Sequence, residues 1–186
     1  MTAKPSPQVW IVVPTYWGPA DGELYGHPTP LDGESTLPAL LGSLSDQSFS
    51  GEMTVLVLAA VVTRELESAA TARVAALLEP FAPRLQLRVA APRHADQIER
   101  RLGEDLSPRL AGMMGYGPVR NMQLLIPALL GAQIIVALDD DEVAGRDYLA
   151  ARGRSRPKGA SSPGEEVQRA RDGCGVLHRA TGEAMQ

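Results

Sequence analysis

Three stretches of this chain are apolar without alternation, and they decide what it can fold into. They are Val9-Trp10-Ile11-Val12-Val13, the run from Met53 to Val62, and Ile134-Ile135-Val136-Ala137-Leu138. A strand with one wet face alternates apolar and polar residues, whereas a strand covered on both faces does not. Each run reads as a buried strand, the first stopped by Pro14. Helical patterns lie between them. Leu37, Leu40, Leu41 and Leu44 fall at i, i+3, i+4 and i+7, with Ser35 or Thr36 as the cap. Residues 64–79 place Leu66, Ala69, Ala70, Val74, Leu77 and Leu78 on one side. Leu85 to Val89 alternates as a shorter strand, and a polar helix follows around 95–103. Pro118 suits the first turn of a helix running to about Leu130, in which Pro127 implies a kink or an early end. The order β-α-β-α-β-α-α-β predicts an α/β fold with a mostly parallel sheet flanked by helices.

The pattern stops near Ala150. Residues 1–150 carry 11 basic and 18 acidic side chains, whereas residues 151–186 carry 7 and 4. The second segment is rich in Gly, Ser, Pro and Arg and has few large apolar side chains, so it cannot bury much surface and is expected to be disordered. The division is therefore one domain over 1–150 and a basic tail over 151–186. An overall charge of −4 gives no reason to expect nucleic-acid binding. Cys174 is alone, so no internal disulfide or Cys-based zinc site is expected. No apolar stretch reaches the length of a transmembrane helix. Met1 to Gln8 lacks the apolar core of a signal peptide, and a cytoplasmic protein is the default.

Asp139-Asp140-Asp141-Glu142 directly follow the last apolar run. Four adjacent carboxylates repel one another unless a cation sits among them. The plainer reading is a turn or the cap of a following helix. The chemical reading is oxygen ligation of Mg²⁺ or Mn²⁺, which bind through one or two carboxylates plus substrate phosphates. In an open parallel sheet, ligands lie at the carboxyl ends of the strands. Both Pro14-Thr15-Tyr16 and the acidic run stand at such ends. There is no G-x-x-x-x-G-K-[ST] motif for a P-loop enzyme, and Gly112, Gly115 and Gly117 do not form a dinucleotide fingerprint.

Two blocks together carry a resemblance. One is a strand, then Pro14-Thr15-Tyr16, then a helix with Thr36-Leu37-Pro38-Ala39-Leu40-Leu41, Ser43-Leu44 and Gln47. The other is Gly115-Tyr116-Gly117-Pro118-Val119-Arg120-Asn121, a helix, and Ile135-Val136-Ala137-Leu138-Asp139-Asp140-Asp141. In this order, over residues 9 to 148, they resemble family 2-type glycosyltransferases with the GT-A fold, a Rossmann-like nucleotide-binding sheet. The resemblance implies that Asp139 and Asp141 are the D-x-D carboxylates that bind the metal, with Asp139 also contacting the sugar-nucleotide. It implies that Pro14, Thr15 and Tyr16 line the base and ribose, and that Arg120 is the basic residue near the donor. Asn121 either shares that role or braces the turn; Tyr16 and Trp17 also suit plain packing.

The chain departs from that pattern twice. Its second strand ends Thr63-Arg64-Glu65, without the Asp that contacts the base in the family, which leaves nucleotide choice open. After Leu149 the family's acceptor-binding segments, catalytic base and late His have no counterpart at family spacing. Glu165, Glu166 and His178 read as solvated charge and an incidental His. The abrupt change of composition suits a truncated or out-of-frame end.

The expected function is glycosyl transfer of the hexosyltransferase type. A sugar passes from a nucleotide-diphospho-sugar to an acceptor hydroxyl with Mn²⁺ or Mg²⁺. The alternative is a non-catalytic or remnant donor-binding domain without its acceptor half. A phosphotransferase with an aspartate nucleophile is disfavoured, because its aspartates belong at the end of the first strand, where Pro14-Thr15-Tyr16 stand.

Overall fold

The computed structural model describes residues 8–19, 27–102 and 111–153. Its strands are β1 (Val9–Gly18), β2 (Thr29–Pro30), β3 (Met53–Val61), β4 (Gln86–Ala90) and β5 (Ile134–Ala137). Its helices are α1 (Leu37–Ser45), α2 (Glu67–Leu78), α3 (Pro92–Leu102), α4 (Tyr116–Leu129) and α5 (Tyr148–Gly153). The fold is α/β, and among the described residues every strand pairing is parallel. The sheet runs β4-β3-β1, and β5 and β2 pair with the remaining edge of β1.

Helices cover both faces of β1 and β3, which is why those strands do not alternate. β5, expected to be buried, is only partly so, with Ala137 exposed because the strand lies at the sheet edge of the described residues. Val9, Ile11, Val13 and Trp17 of β1 and Val55, Val57, Ala59 and Val61 of β3 pack with Leu37, Leu40, Leu41 and Leu44 of α1 and with α2. Trp10 and Val12, with Leu56, Leu58 and Ala60, pack with Ala95 and Ile98 of α3 and Val119, Met122 and Ile126 of α4. Burial of a Val, Leu or Ile side chain stabilises by roughly 1.5–3 kcal/mol. These two clusters hold the fold together.

Pro14 does not stop the first strand. Successive residues of a parallel strand turn their N–H and C=O to opposite edges. Val9 N donates to Glu52 O, and Trp17 O accepts from Val62 N, so odd-numbered residues of β1 face β3. Gln8 O accepts from Ile134 N, and Val12 O accepts from Leu138 N, so even-numbered residues face β5. The missing N–H of Pro14 therefore lies on the β5 edge. Pairing with β3 continues undisturbed to Trp17 opposite Val61. On the other edge the last pair is Val12 with Ala137. The next rung would need an N–H from position 14. Without it, β5 ends and the chain turns out into Asp139. Pairing on that edge resumes only where Trp17 meets Thr29 of β2.

The long Gly- and Pro-rich loop after β1 lies partly outside the described residues. Its return forms β2, a pairing absent from the sequence pattern. Gly18 permits it: a Cβ there would stand 2.7 Å from both Cβ and Cγ of Pro28. Pro127 sits inside the last turn of α4 without ending it early: the helix runs to Leu129, as the spacing predicts, and Leu130 N still donates to Ile126 O. Gly131, at φ 87°, finishes the turn, with its N–H donating to Ala128 O. The helix α5 carries the chain past position 150, and residues 154–186, including the expected tail, lie outside the described residues. Among the described residues no helix is long and apolar enough to cross a membrane.

Gly18→Ala is expected to destabilise the protein by about 1–3 kcal/mol, the usual cost of overpacking. Urea unfolding checks this; an unchanged midpoint would refute the close approach of Pro28.

Candidate functional site

The gap on the β1 edge opens into a cleft of about 390 Å³. β1 lies between β3 on one side and β5 on the other, so the cleft sits at the carboxyl ends of strands where the sheet order reverses. Such switch points are where open α/β sheets bind ligands. Pro14 and Tyr16 of β1 form its floor, and His27, Thr29 and Thr36 form one wall. Gly115, Val119 and Arg120, at the start of α4, form another. Asp139, Asp140 and Asp141 complete it. His27 holds a left-handed φ of 45°, an uncommon backbone for a non-glycine residue.

Arg120 Nη1 lies 2.5 Å from Asp139 Oδ1. The same nitrogen donates to Gln123 Oε1 at 3.1 Å, and Gln123 Nε2 donates to Val12 O at 3.1 Å. Gln123 is buried at 2% exposure, so its amide links the arginine to the sheet where the β5 ladder ends. Glu142 accepts the N–H of Asp139 through Oε2 at 3.0 Å, and its own N–H donates to Asp139 O. Glu142 therefore closes the acidic turn rather than facing the cleft. Asp141 is exposed at the rim.

Thr36 does not cap α1 through its side chain; Leu37 N donates to Ser35 Oγ instead. The Thr36 hydroxyl is directed across the cleft and donates to Asp140 Oδ2 at 3.3 Å. Burial pushes the Asp140 carboxyl above the usual aspartate range. The Thr36 hydrogen bond opposes that rise, and the charges of Asp141 and Asp139 add to it.

The other end of α1 holds the segment beyond the turn. Ser43 Oγ accepts from Ala144 N at 3.0 Å. Gln47 Nε2 donates to Gly145 O at 2.8 Å, while Gln47 Oε1 accepts from Leu149 N at 3.1 Å. Ser48 N donates to Arg146 O, and its hydroxyl donates to Asp147 Oδ1 at 2.6 Å. The acidic turn is thus strapped to α1 on both sides.

Of the sequence-predicted residues, Pro14, Tyr16, Arg120, Asp139 and Asp141 meet in this cleft. Thr15 does not line it. As an odd-numbered residue of β1 its side chain is buried on the opposite face, where the hydroxyl donates to Leu58 O and accepts from Trp17 Nε1. Trp17 is wholly buried core, and Asn121 is exposed on α4 and does not line the cleft. Among the described residues no group of three or more His, Cys, Asp or Glu side chains is arranged to hold a metal ion. Sequence reasoning missed Thr36, His27 and Gln123. A signal existed for Gln123: it is a polar residue beside Val119, Met122 and Ile126, which form the buried side of α4. Comparison with protein-family models, with curated proteins and with solved structures returns no match for this chain.

Gln47→Ala, which deletes both bonds of one amide to the strap, is expected to cost about 1–3 kcal/mol and to speed amide exchange at Leu149; unchanged exchange there counts against the strap. A second expectation concerns pH. Because folding raises Asp140, the folded state favours its protonated form. That contribution is complete below the unfolded value of about 3.9 and is lost as pH rises through the raised value. In the presence of chelator, Asp140→Asn is therefore expected to melt above the wild type at pH 7. The difference should vanish as pH falls below about 4. A variant less stable than wild type at pH 7 contradicts this.

Proposed function

We propose that this cleft binds the diphosphate of a nucleotide-diphospho-sugar together with Mn²⁺ or Mg²⁺, and that the protein is a glycosyltransferase. One observation carries the reading: a single cleft presents both signs of charge at the sheet's switch point. Arg120 and the positive dipole end of α4 beside Gly115 suit phosphate oxygens. Asp139 and Asp141 suit a hard divalent cation. A metal–diphosphate complex is the ligand class that carries both.

The donor set fits such an ion. It is all oxygen, and two carboxylates leave further coordination positions to phosphate and water, as Mg²⁺ and Mn²⁺ prefer. When bound, the ion supplies charge neutralisation for the departing nucleoside diphosphate. Arg120 holds the phosphate from the other side. The surface of Pro14 and Tyr16 receives the nucleoside, and Thr15 keeps that segment in place from the opposite face. The acceptor hydroxyl attacks the anomeric carbon as the bond to the diphosphate breaks. The resemblance of the two sequence blocks to family 2-type glycosyltransferases supports the same assignment.

Among the described residues, every carboxylate lining the cleft belongs to the run Asp139–Asp141. Donor binding therefore rests on more residues than transfer does, and a donor-binding domain without turnover is the second reading.

UDP- and GDP-sugars are expected to raise the melting temperature only when Mn²⁺ is present. A ligand at 100 times its Kd stabilises by about 2.7 kcal/mol. Asp141→Ala should abolish the shift. No shift with any of these donors, or an undiminished shift in the variant, refutes donor binding at this site. Release of nucleoside diphosphate by the wild type separates an enzyme from a binding domain.

A further inference from the structure

We infer that Arg120 is an internal counterion that guards Asp139, so that divalent cation and diphosphate are taken up together and neither is taken up well alone. This rests on the metal–diphosphate reading of the cleft and adds to it how the site discriminates.

The pair is built, not incidental. Arg120 Nη1 lies 2.5 Å from Asp139 Oδ1 and is also held by Gln123 Oε1. Gln123 is nearly inaccessible, and its other amide atom is committed to Val12 O, a carbonyl that also accepts from Leu138 N. The guanidinium is thus aimed at Asp139 from the sheet itself. The pair is also breakable. Asp139 Oδ1 itself is buried, but the side chains of Arg120 and Asp139 as wholes are 33% and 44% exposed, so water and dissolved ions compete for the pair.

A lone Mn²⁺ meets an occupied ligand. To bind Asp139 it must displace a permanently charged guanidinium that stays nearby and repels it. A lone diphosphate meets Asp139, Asp140 and Asp141 across the same cleft, and the positive group suited to hold it is already paired. When both arrive, the cation takes Asp139 and the displaced Arg120 takes a phosphate oxygen. Each ligand removes the obstacle to the other, and such coupling is reciprocal by linkage.

The test uses Mn²⁺ alone and inorganic pyrophosphate with and without Mn²⁺, on the full chain, by calorimetric titration. In the wild type, Mn²⁺ is expected to tighten pyrophosphate binding by about 10-fold or more, and pyrophosphate to tighten Mn²⁺ by the same factor. Arg120→Gln should bind Mn²⁺ alone several-fold more tightly and Mn²⁺–pyrophosphate more weakly. A loss of both in a variant whose melting temperature matches the wild type is not this opposite pair of changes and counts against the counterion role. Arg120→Lys, which restores the charge, should return Mn²⁺ affinity toward wild type. If Arg120→Gln binds Mn²⁺ no more tightly than wild type, the counterion role is overturned, even where Mn²⁺–pyrophosphate still binds and the donor reading stands. If Arg120→Gln gains Mn²⁺ affinity but neither protein binds pyrophosphate, the counterion role stands and the donor reading falls. If no variant binds Mn²⁺, both fall.

Discussion

A parallel ladder needs an N–H at each rung, and Pro14 has none. That single missing donor shapes the rest of the molecule. On the β3 edge it costs nothing, because residue 14 faces away, and β1 runs its full length to Gly18. On the β5 edge it ends the pairing at Val12 and Ala137. β5 is released at the point where its sequence changes from apolar to acidic. The sheet core, where an unpaired carboxylate is costly, thus ends before Asp139 begins. The gap that remains between β5 and β2 is the cleft.

Releasing a strand does not by itself position the residues beyond its end. Four carboxylates on a free turn would spread apart. Here two are held by other elements, Asp139 by Arg120 and Asp140 by Thr36, and Glu142 closes the turn itself. Beyond the turn, Ser43, Gln47 and Ser48 fasten the chain to the far end of α1. α1 is itself anchored by four fully packed leucines, so hydrophobic burial on one face of the sheet is transmitted to the geometry of a polar site at its edge. Gln123 does the same from the other face, through α4.

Much of the fold was legible in the sequence. The unbroken apolar runs identified β1 and β3, which are covered on both faces; the run at β5 located a strand that is only partly buried, with Ala137 exposed. The leucine spacing of α1 and the extent of α4, from its start near Pro118 to its end at Leu129, also came from local rules. Other features misled. Pro14 reads as a strand stop because a sequence does not say which edge of a strand is paired. Ser35 and Thr36 read equally as the cap; Ser35 takes it, and the sequence does not show that Thr36 turns to Asp140, 104 residues away. Thr15 sits between two cleft residues and reads as a third, yet the period of a strand sends it to the other face. β2 is two residues long and has no pattern to detect.

The sequence by itself determined a two-faced parallel sheet and a set of carboxylates at the carboxyl end of its last strand. Both are consequences of local chemistry: side-chain polarity, its period, and the abrupt change at Leu138. Only the tertiary structure decided which charges meet. Arg120 and Asp139 belong to different elements, and Val12, Gln123 and Leu138 come together at one carbonyl only because β1, α4 and β5 are packed side by side. Hydrogen bonds and ion pairs act over a few ångströms of space rather than of chain. Their partners exist only once the hydrophobic faces have set the elements in place.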